Sequence, residues 1–173
     1  MVPPSPVLFD LKKHLARGDV HESPSGLIVL LKWTKTIQLG ERHLLVPVLG
    51  IPGSSLCPRR AFLHMVGLLP ARPSSPAFLY VNAHGDVVTL THSLFVSALR
   101  GLLVKAGVDC IGYTGHSFRR GGASCAFQAG VPGELVKLHG DWKSDAHLRY
   151  LSIPMQHRLQ VTHRMRNFIS SRV

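Results

Sequence analysis

GLIVLLKW, Gly26 to Trp33, restricts the fold more than any other segment of this chain. It is short, β-branched and apolar, and it is followed by the polar stretch TKTIQLGER. A run of that length and composition reads as a strand, and a strand needs a partner for its backbone N–H and C=O groups. HLLVPV supplies one directly after the turn. The chain is therefore predicted to open its folded part with a β-hairpin that has Lys35 close to its tip.

The remaining segments read in order. VPPSP and ARPSSPA are short loops. CPRRAFLHMVGLL spaces its apolar residues helically after Pro58, and Pro70 stops it. AFLYV and DVVTL flank the turn NAHG and predict a second hairpin. THSLFVSALRGLLVKAG begins on the N-cap candidate Thr91 and ends on Gly107, an amphipathic helix. GHSFRRGGASCAFQAG predicts a helix from His116 to Gly130. VPGELVKLHG predicts a short one with Pro132 in its first turn and Gly140 after its end. SDAHLRYL reads as a further helical turn capped by Ser144, and PMQHRLQVTHRMRNFISSR as a final basic helix. Hairpin, helix, hairpin and then helices alone make an α+β domain, mainly helical, with a small antiparallel sheet at one edge.

Length and charge narrow the function classes. At 173 residues the chain is predicted to form one domain with a hydrophobic core, and 45% hydrophobic residues is ordinary for a globular protein. Lys plus Arg number 20 against 9 Asp plus Glu, a net charge of +11. A folded domain that basic most often meets a polyanion, nucleic acid above all. Three cysteines, Cys57, Cys110 and Cys125, have no metal-type spacing and suit a reducing compartment. No apolar run approaches the ~20 residues of a membrane span, and the N-terminal MVPPSPVLF is not built like a signal peptide. The expected location is the cytosol or the nucleus, the latter if the chain is eukaryotic.

The stretch Gly115–Leu151 gathers the chemistry. His116 and Arg119, three apart in HSFR, fall on one helix face. Arg offers a rigid fork of donors that matches a phosphate, and His a ring nitrogen that exchanges a proton near neutral pH. At a helix start, backbone N–H groups also favour an anion. HGDWKSDAHLRYL then brings Trp142, with one N–H donor, and Tyr150 eight residues later. A free phenol has a pKa of ~10 and is a poor nucleophile at pH 7 unless cations and donors stabilise the charge it passes on. Taken singly, each residue has a plainer reading: His116 and Arg119 as surface residues, Trp142 as a core anchor, Tyr150 as a half-buried aromatic.

Taken in order, WTKT, TGHSFRRGGAS and LHGDWKSDAHLRYL resemble the hairpin lysine motif, the GH-x-x-R box and the final tyrosine box of the tyrosine recombinase (phage integrase) catalytic domain. The likeness runs from the Lys35 hairpin to the last helix. The GDWKSD form is similar to the integrase domains of eukaryotic mobile elements such as Cryptons and DIRS-like retrotransposons. The resemblance implies site-specific DNA recombination or integration. Tyr150 would attack a DNA phosphate to form a 3′-phosphotyrosyl link, and Arg119 would clamp the nonbridging oxygens. His116 would handle the proton of the nucleophile, Trp142 would donate to the phosphate, and Lys35 would protonate the departing 5′-oxygen. The covalent link stores the energy of the broken bond, so no cofactor or metal is implied. Double-stranded DNA is the implied partner, with homo-oligomers on DNA if the chain is active. Arg120, Lys143, Arg59 and Arg60 are the candidate residues for holding the DNA backbone.

One part of the family pattern lacks a counterpart. The family pocket holds two arginines, the first on a helix ahead of the hairpin. Here the hairpin follows MVPPSPVLFDLKKHLARGDVHESPS, in which Arg17 falls later than that helix would. The first-arginine helix and the core-binding domain are thus expected to be missing, so enzymatic activity of the chain alone is an open expectation. The alternative is a catalytically dead DNA-binding remnant of a mobile-element integrase. A type IB topoisomerase has a similar pocket and remains a further alternative.

Overall fold

The computed structural model describes residues 2–34, 37, 42–145, 148 and 155–171. It is α+β, with five α-helices and two small antiparallel sheets among these residues. The chain divides into two compact units, Met1–Ile111 and Gly112–Val173.

The first unit is built on the expected hairpin. Strands β2 (Gly26–Leu31) and β3 (Leu44–Leu49) pair antiparallel along their whole length, from Gly26 opposite Leu49 to Leu31 opposite Leu44. Within their connection the backbones of Thr34 and Ile37 exchange hydrogen bonds of 3.0 and 3.2 Å. Ile37 is 1% exposed, the largest side chain buried to that degree among the described residues. Lys35 lies outside the described residues. Strand β1 (Val20–Ser23) pairs with the other edge of β2 and makes the sheet three-stranded. Its sequence, VHES, has no apolar alternation, and its pairing to β2 through the link Pro24–Ser25 is what makes it a strand. Gly26, where β2 begins, lies against β3 so closely that a Cβ would overlap the Val48 carbonyl oxygen.

Helix α1 (Pro58–Leu68) packs on β2 and β3. The second hairpin, β4 (Leu79–Val81) and β5 (Val87–Thr89), leads into α2 (His92–Lys105). The α2 N-cap is Thr91, whose hydroxyl accepts the Leu94 N–H at 3.3 Å, and Gly107 follows the helix with φ 71°. Two departures from expectation concern the loops. Pro6–Leu8 forms a single 3₁₀ turn within the N-terminal loop. ARPSSPA is tied to the segment before β1: the N–H groups of Arg17 and Gly18 donate to the carbonyls of Ser75 and Pro73, and Ala77 donates to Leu15. Three backbone bonds tie this Pro- and Ser-rich stretch to the core, which only its last residue enters: Ala77 is 1% exposed, and Ala16 across the tie is 3% exposed.

That tie carries Arg17 inward. Arg17 is 8% exposed and lies beneath α1. Its Nη2 donates to the Leu69 carbonyl at 3.3 Å and contacts Met65 Sδ at 3.8 Å, and its guanidinium stands 5.9 Å from the Phe62 ring centroid. A cation at the carbonyl end of a helix complements the macrodipole and caps an orphan acceptor. Burial pushes the Arg17 pKa below its ordinary value. Asp19, also 8% exposed, accepts the Ala16 N–H at 2.8 Å and pairs with Lys32 Nζ at 2.7 Å, joining the same segment to the end of β2.

His14 sets a pH limit on this unit. Its Nδ1 accepts the Asp10 N–H at 2.9 Å, and its ring stacks on Phe9 at 5.9 Å between centroids. Burial holds its pKa below the ordinary 6.5. Because the folded value is the lower one, the unfolded chain binds the proton first as pH falls. The stabilisation is complete above pH 6.5 and is lost as pH drops below it toward the folded value. Denaturant midpoints measured from pH 8 to 5 should decline below that point, and His14→Gln should flatten the decline. A wild-type midpoint constant across this range would contradict the assignment.

Among the described residues the second unit holds three α-helices: α3 (Gly115–Gln128), α4 (Gly133–His139) and α5 (Met155–Ser170). Ala123 of α3 and Val136 of α4 are its buried apolar residues among those described, at 4% and 5% exposure. The turn expected at SDAHLRYL, Tyr150 included, lies mostly outside the described residues. The cysteines are free thiols. No described helix is long and apolar enough to cross a membrane.

Candidate active site

The site in the second unit is assembled by two helix ends. At the first, Thr114 is the N-cap of α3. Its hydroxyl accepts the His116 N–H at 3.2 Å, while the Ser117 hydroxyl accepts the Thr114 N–H at 3.1 Å. This reciprocal pair sets where α3 begins. His116 therefore sits in the first turn and Arg119 one turn later on the same face, both exposed. The first turn carries no acidic residue. Arg120, also exposed, follows Arg119 and is rotated away from it around the helix.

At the second end, α4 closes with a reversal. The Asp141 N–H donates to the Leu138 carbonyl at 3.1 Å, and the Trp142 N–H to the Lys137 carbonyl at 3.1 Å. These two bonds are those of a Schellman motif. Its left-handed position falls on Asp141, φ 52°, and the preceding Gly140 has an ordinary helical φ of −83°. Asp is among the few residues with a side chain that enter this region at small cost. The reversal turns Trp142 back over the end of the helix. Lys137 Nζ then meets Asp145 at 2.8 Å, an exposed pair of the kind that contributes at most about 1 kcal/mol.

The two ends meet at Arg119. Its Nη2 donates to the Gly140 carbonyl at 2.5 Å, and its Cζ stands 4.3 Å from the centroid of the Trp142 ring. At an exposed site such a cation–π contact is worth about 0.5–1 kcal/mol. The larger consequence is orientation: a long, flexible side chain is held at two points, over the Trp142 ring and at the Gly140 carbonyl. A guanidinium has five N–H donors in a rigid fork, and one of them meets Gly140. The arrangement suits an oxyanion with two coplanar oxygens, such as a phosphodiester.

Of the residues singled out by sequence, the structure brings Arg119 and Trp142 together and places His116 one turn from Arg119 on the same helix. Lys143 is exposed directly after Trp142. Tyr150 and Lys35 lie outside the described residues. Arg59 and Arg60 belong to the first unit, in the first turn of α1, where Arg59 forms an ion pair with Glu22. The sequence marks Gly140 only as a helix stop, and nothing in it marks the Gly140 carbonyl as an acceptor for Arg119. Among the described residues no group of His, Cys, Asp and Glu could hold a metal ion. The chain matches no protein-family model and no curated protein.

Proposed function

We propose that this chain acts on duplex DNA as a catalytic domain of the tyrosine-recombinase type, breaking and rejoining strands through a phosphotyrosyl intermediate. The observation that carries the reading is the Arg119 guanidinium, exposed and oriented by Trp142 and Gly140 on the helix that also bears His116. Charge supports it. The smaller unit has nine Lys and Arg against three Asp and Glu, so the chain's positive charge is concentrated where Arg119 lies.

In this mechanism the Tyr150 hydroxyl attacks phosphorus and the bond to the 5′-oxygen breaks. The phenolic proton goes to His116, and the departing 5′-oxygen takes a proton from Lys35. Arg119 and the Trp142 N–H stabilise the charge that accumulates on the nonbridging oxygens. The roles of Tyr150 and Lys35 rest on the sequence resemblance.

A second reading, DNA binding without cleavage, is favoured by one observation. Arg17, the one arginine in the sequence ahead of β2, is committed to the end of α1. Incubation with a nicked suicide duplex separates the two readings. Cleavage gives a protein–DNA band that survives a denaturing gel and is lost in Tyr150→Phe; binding alone gives none. Both readings predict salt-sensitive binding, with each neutralised phosphate adding about −0.9 to the slope of log affinity against log salt. Affinity that stays flat as salt is raised would exclude both.

A further inference from the structure

Glycine after a short helix ordinarily supplies the left-handed residue that ends it. Gly140 does not: its φ is −83°, a value any residue adopts, and Asp141 takes the left-handed position at φ 52°. Conformational freedom therefore does not account for Gly140. Space does. A Cβ built on Gly140 would overlap three atoms of the six-membered ring of Trp142. The indole lies where a side chain would be, against the bare Cα. The opposite role of the same residue is polar, since its carbonyl accepts the Arg119 Nη2 donor at 2.5 Å.

From this we infer that Gly140 is a positioning residue for the Arg119 guanidinium, acting through both halves of its peptide unit. The missing Cβ admits the Trp142 ring on which the guanidinium stacks. The carbonyl fixes the rotation of the guanidinium within that plane. A face and an edge are each held, so the donors of Arg119 are presented in one orientation. The benefit of such an orientation to an incoming phosphate rests on the reading of Arg119 as a phosphate ligand. The seat itself rests on the geometry alone.

Both are tested on the full chain by NMR of the Arg119 side chain. A guanidinium stacked on an indole feels the ring current, so its resonances in the wild type should be displaced upfield. They should move again when a short mixed-sequence duplex is added. In Gly140→Ala the upfield displacement should disappear and the response to duplex with it, while the Val136 methyl signals still report a folded α4. The rate of covalent-adduct formation should then drop by about 10²-fold, the scale of a misplacement near 1 Å. Retention of the ring-current shift in Gly140→Ala overturns the inference.

Should Gly140→Ala fail to fold, Trp142→Phe provides the second arm. The smaller ring leaves room for a methyl group, so Gly140→Ala should be tolerated in that background, and the two substitutions should be strongly non-additive. Equal cost in both backgrounds also overturns the seat. A wild-type Arg119 that ignores DNA, with the ring-current shift nevertheless lost in Gly140→Ala, upholds the seat and sinks the phosphate reading.

Discussion

Arg119→Lys is expected to lower the rate of covalent-adduct formation on a nicked duplex by about 10²–10³-fold, the scale for loss of one preorganised transition-state donor. It should leave the fold nearly untouched. Lysine keeps the charge but not the plane. Its ammonium is a compact, strongly hydrated point charge and cannot donate two parallel bonds to a phosphate. Nor can it stack on Trp142 as a flat group while donating to the Gly140 carbonyl. The stability change should stay near the 0.5–1 kcal/mol of an exposed cation–π contact, because Arg119 is itself exposed. Adduct yield over time and a thermal melt of the same sample check both halves. A lysine variant within tenfold of wild type would show that charge alone suffices and that the stack is incidental.

Arg17 should give the opposite pattern: large in stability, and sensitive to shape more than to charge. Arg17→Ala empties the space beneath α1 and should destabilise the chain by about 2–4 kcal/mol, in the range of large-to-small substitutions in cores. Arg17→Met should stay within about 1 kcal/mol of wild type. The linear side chain refills most of the volume against Phe62 and Met65 and leaves the Leu69 carbonyl without its donor. It also removes Nε and Nη1, buried nitrogens with no hydrogen-bond partner among the described residues. Desolvating a cation that is only partly paired is costly, and apolar replacements of similar size are often neutral or better. Urea denaturation of the three chains decides the matter. Met as damaging as Ala would mean that the helix-end charge interaction outweighs packing.

The sequence exposed those parts of the fold that apolar periodicity and chain punctuation specify. The β2–β3 pair, α1, α2 and the basic α5 follow from such patterns, because each carries its periodicity or its start and stop signals within its own sequence. β1 was hidden because VHES is polar and becomes a strand only through its neighbour. ARPSSPA was hidden for the same reason: its backbone bonds go to residues 15–18, a partner that local propensity does not reveal. Within the site, the residue types His116, Arg119 and Trp142 were legible from spacing. The Arg119–Trp142 stack was not, since it depends on a left-handed Asp141 and on Gly140 serving as space. Tyr150 and Lys35 remain sequence-based assignments.

The edge of the three-stranded sheet has one further consequence, for solubility. β3 is an outer strand in the order β1-β2-β3, and it exposes Leu45 and Leu49 at 61% and 65%. A long apolar edge of this kind is a template on which another chain can add a strand. Pro47 stands in the middle of it, opposite Ile28. Proline has no N–H to give, so its nitrogen must occupy a position that does not bond to β2, facing the open side. An incoming strand would therefore lose a bond at the centre of the ladder. One residue in an otherwise strand-like run, LLVPVL, keeps the sheet from growing by self-addition while leaving its pairing with β2 intact.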